Sequence, residues 1–281
     1  MNAKRTPADV DVLPRDIRFN VESARQGHWL GGDPVGTAVF NALSLTFPDG
    51  ERMFMDAVRH YRGELSGKLQ EDVKGFIAQE AIHSREHHML NELIDRTRYR
   101  VDAIEAEIRE RIAFSRSRGP MGMLIATIAL EHFTAMMAEM HATHQDVLDT
   151  AAPDIERLWR WHALEETEHK AVAYDVYMEV TKGWSPFQRW FRRCMAMAII
   201  GYMFPRNISR FAATLLEADG YAPDAALKAV QDYVWRKPGL FSRGWRTFFA
   251  WFRPGFHPWD IDTRNLTDAW KADFAVTPVA A

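Results

Sequence analysis

Residues 79–87, Gln-Glu-Ala-Ile-His-Ser-Arg-Glu-His, decide how this chain folds. Glu80 and His83 are three residues apart and His87 follows four residues later, so on a helix all three lie within roughly 60° of arc. Val73 continues the same stripe, which means that metal-binding side chains occupy positions that the pattern assigns to the core. Burying an unpaired carboxylate is very costly, so something must neutralise Glu80.

A second stretch repeats this arrangement later in the chain. His162, Glu166 and His169 follow one another at positions i, i+4 and i+7. Glu166-x-x-His169 matches Glu80-x-x-His83. One such motif on a helix is usually structural, but two on separate buried faces are typical of a dinuclear metal site in a helical bundle, where two further helices each add a glutamate.

The two remaining glutamates can be located because residues equidistant from a turn lie level in antiparallel helices. Glu51 lies level with Glu80 across a predicted turn at 62–67, and Glu131 lies level with His169 across a later turn. Both are on apolar faces and are predicted to point inward. An acid in a first helical turn is also favoured by the helix dipole, which is the alternative for Glu51.

The predicted site holds two metal ions, and its ligands are Glu51, Glu80, His83, Glu131, Glu166 and His169. Glu165, four residues before His169, is an alternative to Glu166. His87 and His162 are predicted to lie just outside the ligands, where they orient carboxylates or transfer protons, with direct ligation as the alternative. Carboxylates with one imidazole per ion favour iron, and manganese or zinc are alternatives.

The predicted architecture is all-α: a ferritin-like four-helix bundle that carries the metal site, with a further helical, aromatic-rich cover from the C-terminal part. Residues 1–48 are punctuated by Gly and Pro and are predicted to be irregular and packed on the bundle. Residues 49–182 form the bundle, and residues 183–281 form a helical extension of the same domain. Helices are expected at 49–61, 68–96, 101–118, 121–145, 153–180 and 223–235.

The composition excludes several classes of protein. The chain has 281 residues, of which 47% are hydrophobic and 26% charged, as in ordinary globular proteins. Cys194 is the single cysteine, so no intrachain disulfide and no cysteine-based zinc or iron–sulfur site can form. The net charge of −3 gives no reason to expect nucleic acid.

The hydropathy pattern predicts a cytoplasmic protein. The N-terminal residues lack the apolar core of a signal peptide. The longest apolar run, residues 194–204, is shorter than the roughly 20 residues that a transmembrane helix needs.

Two clusters leave alternatives open. Methionines on the predicted helix 121–145 fill gaps in the core or line an apolar tunnel to a small apolar or amphipathic substrate. Arg189, Arg192 and Arg193 lie among Trp and Phe, where they form a solvated basic edge or contact lipid headgroups at a membrane surface. Aromatic residues near the C-terminus are compatible with a homodimer.

The motifs resemble those of a bacterial family described as predicted metal-dependent hydrolases. The resemblance extends from about Arg15 to Asp262 and implies a hydrolase. The ligand pattern is also similar to that of ferritin-like and haem-oxygenase-like di-iron proteins, which implies oxygen-dependent oxidation. The stretches that carry the resemblance are Leu43-Ser44, Phe47-Pro48-Asp49-Gly50-Glu51, Gln79-Glu80 with His83 and His87, Trp161-His162 with Glu165-Glu166 and Glu168-His169-Lys170, and Arg253-Pro254-Gly255-Phe256-His257-Pro258-Trp259.

Three functions are therefore considered. The first hypothesis is a di-iron oxidoreductase that uses O₂ to oxidise, hydroxylate or desaturate an apolar or amphipathic small molecule. The alternative is a hydrolase in which two ions activate a water molecule. The third is a protein that binds or stores iron and turns over no substrate.

Overall fold

The computed structural model describes residues 6–275, and all regular secondary structure in that part of the chain is helical. The all-α prediction is confirmed. The outer ends of the two predicted flanking segments, 1–5 and 276–281, lie outside the described residues. The α-helices are α1 (Pro34–Tyr61), α2 (Lys68–Asn91), α3 (Val101–Ser117), α4 (Gly119–Thr143), α5 (Pro153–His169), α6 (Val172–Val180), α7 (Pro186–Ala218), α8 (Pro223–Trp235), α9 (Trp245–Ala250) and α10 (Arg264–Asp273).

Four helices form a bundle. α1 packs on α2 and α4, while α5 packs on α4 and α2. Leu43, Phe76, Leu124 and Leu158 point between these helices and are almost wholly buried. Removing such side chains from water is the main favourable contribution to folding. The bundle places a cluster of Glu and His at its centre, as the repeated Glu-x-x-His motif predicts.

The prediction that residues 1–48 are irregular is wrong from residue 34 onwards, because α1 begins at Pro34 and not at Asp49. Asp33 caps the helix, since its carboxylate accepts a hydrogen bond from the Val35 amide at 2.9 Å. Proline suits the first turn because an amide there has no partner within the helix.

Pro48 lies inside α1, where a proline normally breaks a helix. Its missing N–H leaves the carbonyl of Ser44, four residues earlier, without its helical partner. The Asn91 side chain fills that gap by donating from Nδ2 to the Ser44 carbonyl at 3.0 Å. The Pro48 carbonyl in turn accepts from the Ser84 hydroxyl at 3.2 Å. Contacts with α2 therefore replace the bond that the helix loses.

The predicted helix 153–180 is divided in two, because α5 ends at His169 and α6 begins at Val172. Lys170 lies at the break and is buried. Its ammonium group donates to the Ile261 carbonyl at 2.6 Å, and this contact with the C-terminal part accompanies the turn. α6 then packs on α4 and α2, while His169 still faces the bundle interior.

The C-terminal helices cover the bundle. α7 lies against α1 and α4, α8 packs on α7, and α10 packs on α5. Met197, Leu216 and Val230 belong to the same hydrophobic core as the bundle helices. The stretch 184–204, which is rich in aromatic and basic residues, contributes residues 186–204 to the 33-residue helix α7.

One described helix, α4, is long and apolar enough to span a membrane by length and composition. Half of its apolar window is buried within the protein, and it packs against α1, α5 and α7. A core helix of a folded bundle has the same length and composition.

Candidate metal centre

The bundle brings the six predicted ligands together. Each is 3% exposed or less, although every one is polar or charged. Two come from α2 and two from α5, because a spacing of three residues returns to nearly the same helix face. α1 and α4 contribute one each, as the hairpin geometry predicts. By helix, the residues are Glu51 on α1, Glu80 and His83 on α2, Glu131 on α4, and Glu166 and His169 on α5.

One side of the centre surrounds His169. Its Nε2 lies 3.2 Å from Glu80 Oε1, 3.5 Å from Glu166 Oε2 and 3.6 Å from Glu131 Oε2. Glu80, Glu131 and His169 each offer one ligand atom, and these atoms all lie within 4.8 Å of one another. These three residues therefore can hold one ion.

The other side surrounds His83 and His162. Together with Glu51 they form a second group whose ligand atoms lie within 4.8 Å of one another. Glu166 reaches both sides, because its Oε1 is 2.9 Å from His162 Nε2 whereas its Oε2 faces His169. Glu80 is also shared, since it forms a further group with His83 and Glu166. Two overlapping sites with shared carboxylates suit a dinuclear centre.

The centre contains buried polar atoms that metal ions could satisfy. Within residues 6–275, most ligand atoms that face the centre are buried without a hydrogen-bond partner. Native proteins rarely leave such atoms unsatisfied. Four carboxylates carry four negative charges, which two divalent cations would balance. The atoms without a partner are both carboxylate oxygens of Glu51, Glu80 and Glu131, Oε2 of Glu166, Nδ1 of His83 and Nε2 of His169.

The electrostatics of the protein without metal point the same way. Burial, reinforced by repulsion between neighbouring carboxylates, raises the pKa of Glu51, Glu80 and Glu131 well above the usual range. Burial also acts to raise the pKa of Glu166, but the contacts with His169 and His162 outweigh it and lower that pKa. Cations in the centre would favour the charged form of all four carboxylates.

Each ligand imidazole has a partner on its far side. His83 Nε2 lies 3.0 Å from Glu165 Oε2, and His169 Nδ1 lies 2.9 Å from Gln79 Oε1. These contacts fix the rings so that His83 Nδ1 and His169 Nε2 face the centre. Glu165, the alternative ligand, therefore turns away from the centre and orients His83, whereas Glu166 faces the centre.

Arg15 holds Glu165 in place and was not singled out from the sequence. Its backbone amide donates to Glu165 Oε1 at 3.0 Å, and its guanidinium donates to Glu165 at 3.2 Å and to Glu168 at 2.7 Å. Burial raises the pKa of Glu165 to about 8, although Arg15 opposes that shift. Arg15 lies 150 residues from Glu165 in the chain, so no local spacing could reveal this contact.

A chain of hydrogen bonds runs from the centre towards α1. Asn91 Nδ2 donates to the Ser44 carbonyl, so Asn91 Oδ1 accepts the Ser44 hydroxyl proton at 2.6 Å. The Ser44 oxygen must then accept from His87 Nδ1 at 2.9 Å, because its single proton is already engaged. His87 Nε2 in turn accepts from His162 Nδ1 at 2.7 Å.

The consequence is a free lone pair on His162 Nε2. That atom is 2.9 Å from Glu166 Oε1 and 4.0 Å from Glu51 Oε1. Acceptors that face each other need a proton or a cation between them, so His162 can bind a metal ion or take up a proton. His87 lies one step further out and acts through His162. The proline in α1, which frees the Ser44 carbonyl, orients this chain.

Aromatic rings enclose the imidazoles. Trp161 packs edge-on against His83 at 4.7 Å, Phe76 against His169 at 4.9 Å and Phe47 against His87 at 4.7 Å, measured between ring centroids. Such apolar walls exclude water, and electrostatic interactions inside them are stronger than in water. The enclosure explains why the imidazoles and carboxylates of the centre are so fully buried.

The model of a family described as predicted metal-dependent hydrolase matches residues 13–262, which is most of the chain. The chain belongs to this family. The match spans the whole bundle and both Glu-x-x-His motifs. No curated protein and no solved structure matches the chain.

Membership of the family supports a metal-dependent enzyme and favours hydrolysis over the oxidoreductase hypothesis. The resemblance found in the sequence motifs is confirmed.

Proposed function

We propose that this protein is a dinuclear metal-dependent hydrolase that cleaves an ester or amide of a small apolar or amphipathic molecule. The observation that carries the proposal is the set of buried carboxylate and imidazole atoms without partners in two groups that share Glu80. One group is Glu80, Glu131 and His169, and the other is Glu80, His83 and Glu166. The family to which the chain belongs supports the reaction class. Divalent ions bound there would lower the pKa of a water molecule and polarise the substrate carbonyl.

The residues of the chain divide the remaining work. Glu165 and Gln79 hold the imidazoles of His83 and His169 in the orientation that ligation needs. His162 Nε2 is the proton acceptor in this scheme. A proton taken up there is stabilised because His87 Nε2 accepts the Nδ1 proton of His162.

A cavity beside the centre indicates the kind of substrate. Its volume is about 40 Å³, and one water molecule needs roughly 10–15 Å³ by that measure, so the space is narrow. His162 and Glu166 form its polar end, and nearly all other lining groups are apolar. These include Leu43, Phe47, Met137, Met140, Trp159 and Ala163. A slender apolar chain with its scissile bond at the His162 end fits this lining.

Metal content and activity on the same preparation test the proposal. The protein purified without added metal would be measured for metal per chain and then assayed, with oxygen excluded, on nitrophenyl esters of increasing acyl length. We expect two ions per chain and hydrolysis without O₂. Glu80→Ala should lose both, whereas Glu86→Gln should lose neither, because Glu86 is equally buried but pairs with Arg85 at 2.6 Å. A metal-loaded protein that hydrolyses no ester or amide would contradict the proposal.

The cavity has its own test. Ala163 lines the cavity next to His162 and is 7% exposed. In Ala163→Phe we expect activity on long acyl chains to fall at least about tenfold, because a bulky pocket residue excludes the chain by more than 1.4 kcal/mol. The acetate ester and the metal content should be little changed. An equal loss on all chain lengths would show that the cavity does not bind the acyl group.

A second candidate is oxygen-dependent oxidation of the same kind of substrate at a di-iron centre. The donor set favours it, because four carboxylates and two Glu-x-x-His histidines are the set found in di-iron carboxylate bundles. Iron in the purified protein, with O₂ consumption that depends on an apolar substrate, would support this candidate. Rapid iron oxidation without any substrate turnover would support iron storage instead.

A further inference from the structure

α7 exposes apolar side chains on its outer face. Phe187, Phe191, Met195, Ile199 and Tyr202 are between 46% and 66% exposed. Their spacing of four, four, four and three residues places them within about 120° of arc and along about 22 Å of helix. A surface helix normally carries polar residues on this side, and its inner face already buries Met197 and Ile208 in the core. The outer face thus requires its own explanation.

α9 enlarges this patch. Trp245 and Phe249 are 55% and 60% exposed. The segment lies beside α7, because Trp190 Nε1 donates to the Phe252 carbonyl at 2.9 Å and Phe248 packs on Gly201. Seven of the twelve large hydrophobic side chains exposed in residues 6–275 therefore belong to one region. We call it the α7 face, and it consists of Phe187, Phe191, Met195, Ile199, Tyr202, Trp245 and Phe249.

The two segments that carry the α7 face contain cations and no acids. Residues 186–210 contain five arginines, of which Arg193 is buried, and residues 236–256 contain five Lys or Arg. Carboxylates of other elements pair with Arg210 and Arg243. Arg192, Arg206 and Arg246 are exposed and form no ion pair within the described part of the chain. Arg192 and Arg246 instead lie over the rings of Trp184 and Trp245. The cations thus remain available to an external partner.

We propose that the α7 face docks on the surface of a lipid bilayer that contains anionic phospholipid. Phe, Tyr and Trp side chains enter the boundary between headgroups and acyl chains, where their apolar bodies are buried. Arginines at its edges bind lipid phosphates and are attracted by the negative surface potential. The combination of exposed aromatic and aliphatic groups with cations and without carboxylates is complementary to such a surface.

Charge also argues against a second copy of this chain as the occupant. In a symmetric dimer the same patch faces itself, so arginines would oppose arginines. Like charges across an interface are unfavourable, and no carboxylate on these segments relieves them. An anionic lipid surface has no such conflict.

Vesicle sedimentation of the full chain tests the proposal. We expect the protein to bind vesicles of phosphatidylcholine mixed with phosphatidylglycerol much more tightly than vesicles of phosphatidylcholine alone. Binding should weaken between about 0.1 M and 1 M salt, because the Debye length falls from about 10 Å to 3 Å. Ile199→Glu and Phe191→Glu should each weaken binding about tenfold or more, since each places a carboxylate at the lipid boundary.

Phe114 on α3 provides a matched control. It is 68% exposed and lies outside the α7 face, so Phe114→Glu should leave vesicle binding unchanged. Circular dichroism would check that each variant keeps the helical fold. Tryptophan emission gives an independent signal: the blue shift on adding vesicles should disappear in Trp245→Phe if that ring enters the lipid.

Three results would overturn the proposal. They are no binding to anionic vesicles, equal loss of binding in Phe114→Glu and Ile199→Glu, or a stable dimer that Ile199→Glu dissociates while vesicles have no effect. The last result would assign the α7 face to contact between copies of the chain.

Discussion

The metal centre and the α7 face are opposite departures from the usual distribution of polar and apolar groups. In the centre, most carboxylate and imidazole atoms that face inward are buried without hydrogen-bond partners. On the α7 face, large apolar side chains are exposed. Both features are unfavourable in the isolated polypeptide, so each indicates something that binds there. The centre, however, is enclosed by four helices, whereas the α7 face lies outside the packed core.

The first prediction concerns metal and stability, where we expect the largest effect. Each metal ion that binds only the folded protein should stabilise it by about 4 kcal/mol when free metal exceeds its Kd by about a thousandfold. Glu80→Ala should abolish this stabilisation and release both ions, because Glu80 belongs both to the group with Glu131 and His169 and to the group with His83 and Glu166. His169→Ala should release the ion that His169 holds with Glu80 and Glu131. Thermal unfolding with and without chelator, together with metal analysis, measures the effect.

Ile199→Glu on the α7 face is the contrasting control, since it should keep the full stabilisation by metal. If chelator left the unfolding temperature of the wild-type protein unchanged, the buried carboxylates would have to be neutralised by some other means.

The second prediction separates the residues that orient ligands from other buried acids. Glu165→Gln should weaken metal binding about 10- to 100-fold, because Glu165 fixes the ring of His83. Glu86→Gln should not, since Glu86 contacts Arg85 and the Phe19 amide instead. Metal titration by calorimetry gives both affinities. Equal metal affinities in the two variants would show that Glu165 does not support metal binding through His83.

The third prediction is a pH dependence that exists only without metal. Buried carboxyls with a raised pKa keep protons that the unfolded chain releases, so stability falls as pH rises through the folded-state pKa. Glu165 has a pKa of about 8, and that of Glu131 is also raised by burial. Between pH 7 and 8 the metal-free protein should lose about 1.4 kcal/mol per pH unit for each carboxyl that holds its proton.

Glu131→Gln should reduce this slope, and metal-loaded protein should not show it. The window ends at pH 8 because the pKa of Lys170, lowered to about 8 by burial, then acts in the opposite direction. The measurement is denaturant unfolding at about pH 7.0, 7.5 and 8.0, with chelator and with metal. A flat profile without metal would show that these carboxyls are already ionised.

The fourth prediction is the smallest effect. Without lipid, Phe191→Glu and Ile199→Glu should change the free energy of unfolding by no more than about 0.5 kcal/mol, as surface substitutions usually do. Chemical denaturation in the absence of vesicles measures it. A loss of several kcal/mol would mean that these side chains support the fold and are not free for docking.

The sequence could predict the metal centre because its geometry is mostly local. Three-residue and four-residue spacings determine which side of a helix a residue faces, and hairpin symmetry determines which residues lie level. These two rules brought Glu51, Glu80, Glu131 and His169 to one place. The outward orientation of Glu165 could not be predicted in this way, because Glu165 and Glu166 are neighbours and both are acids.

Pro48 shows how a local rule fails. Read alone, it ends a helix, and residues up to 48 were expected to be irregular. The helix continues because Asn91, 47 residues from Ser44, replaces the lost hydrogen bond. Asn91 also accepts the Ser44 hydroxyl proton, so the Ser44 oxygen accepts from His87 Nδ1. The proline inside α1 therefore accompanies the hydrogen-bond chain that joins Ser44 to His87 beside the centre.

What the sequence by itself determined is the helical class of the protein and the identity of the residues that meet at the centre, because both follow from periodicity along single helices. Only the tertiary structure decided that Arg15 supports Glu165, that Asn91 rescues the proline-containing helix and that one side of α7 stays exposed. These depend on contacts between distant parts of the chain. α7 is apolar on both of its sides, so its pattern alone cannot show which side the bundle covers.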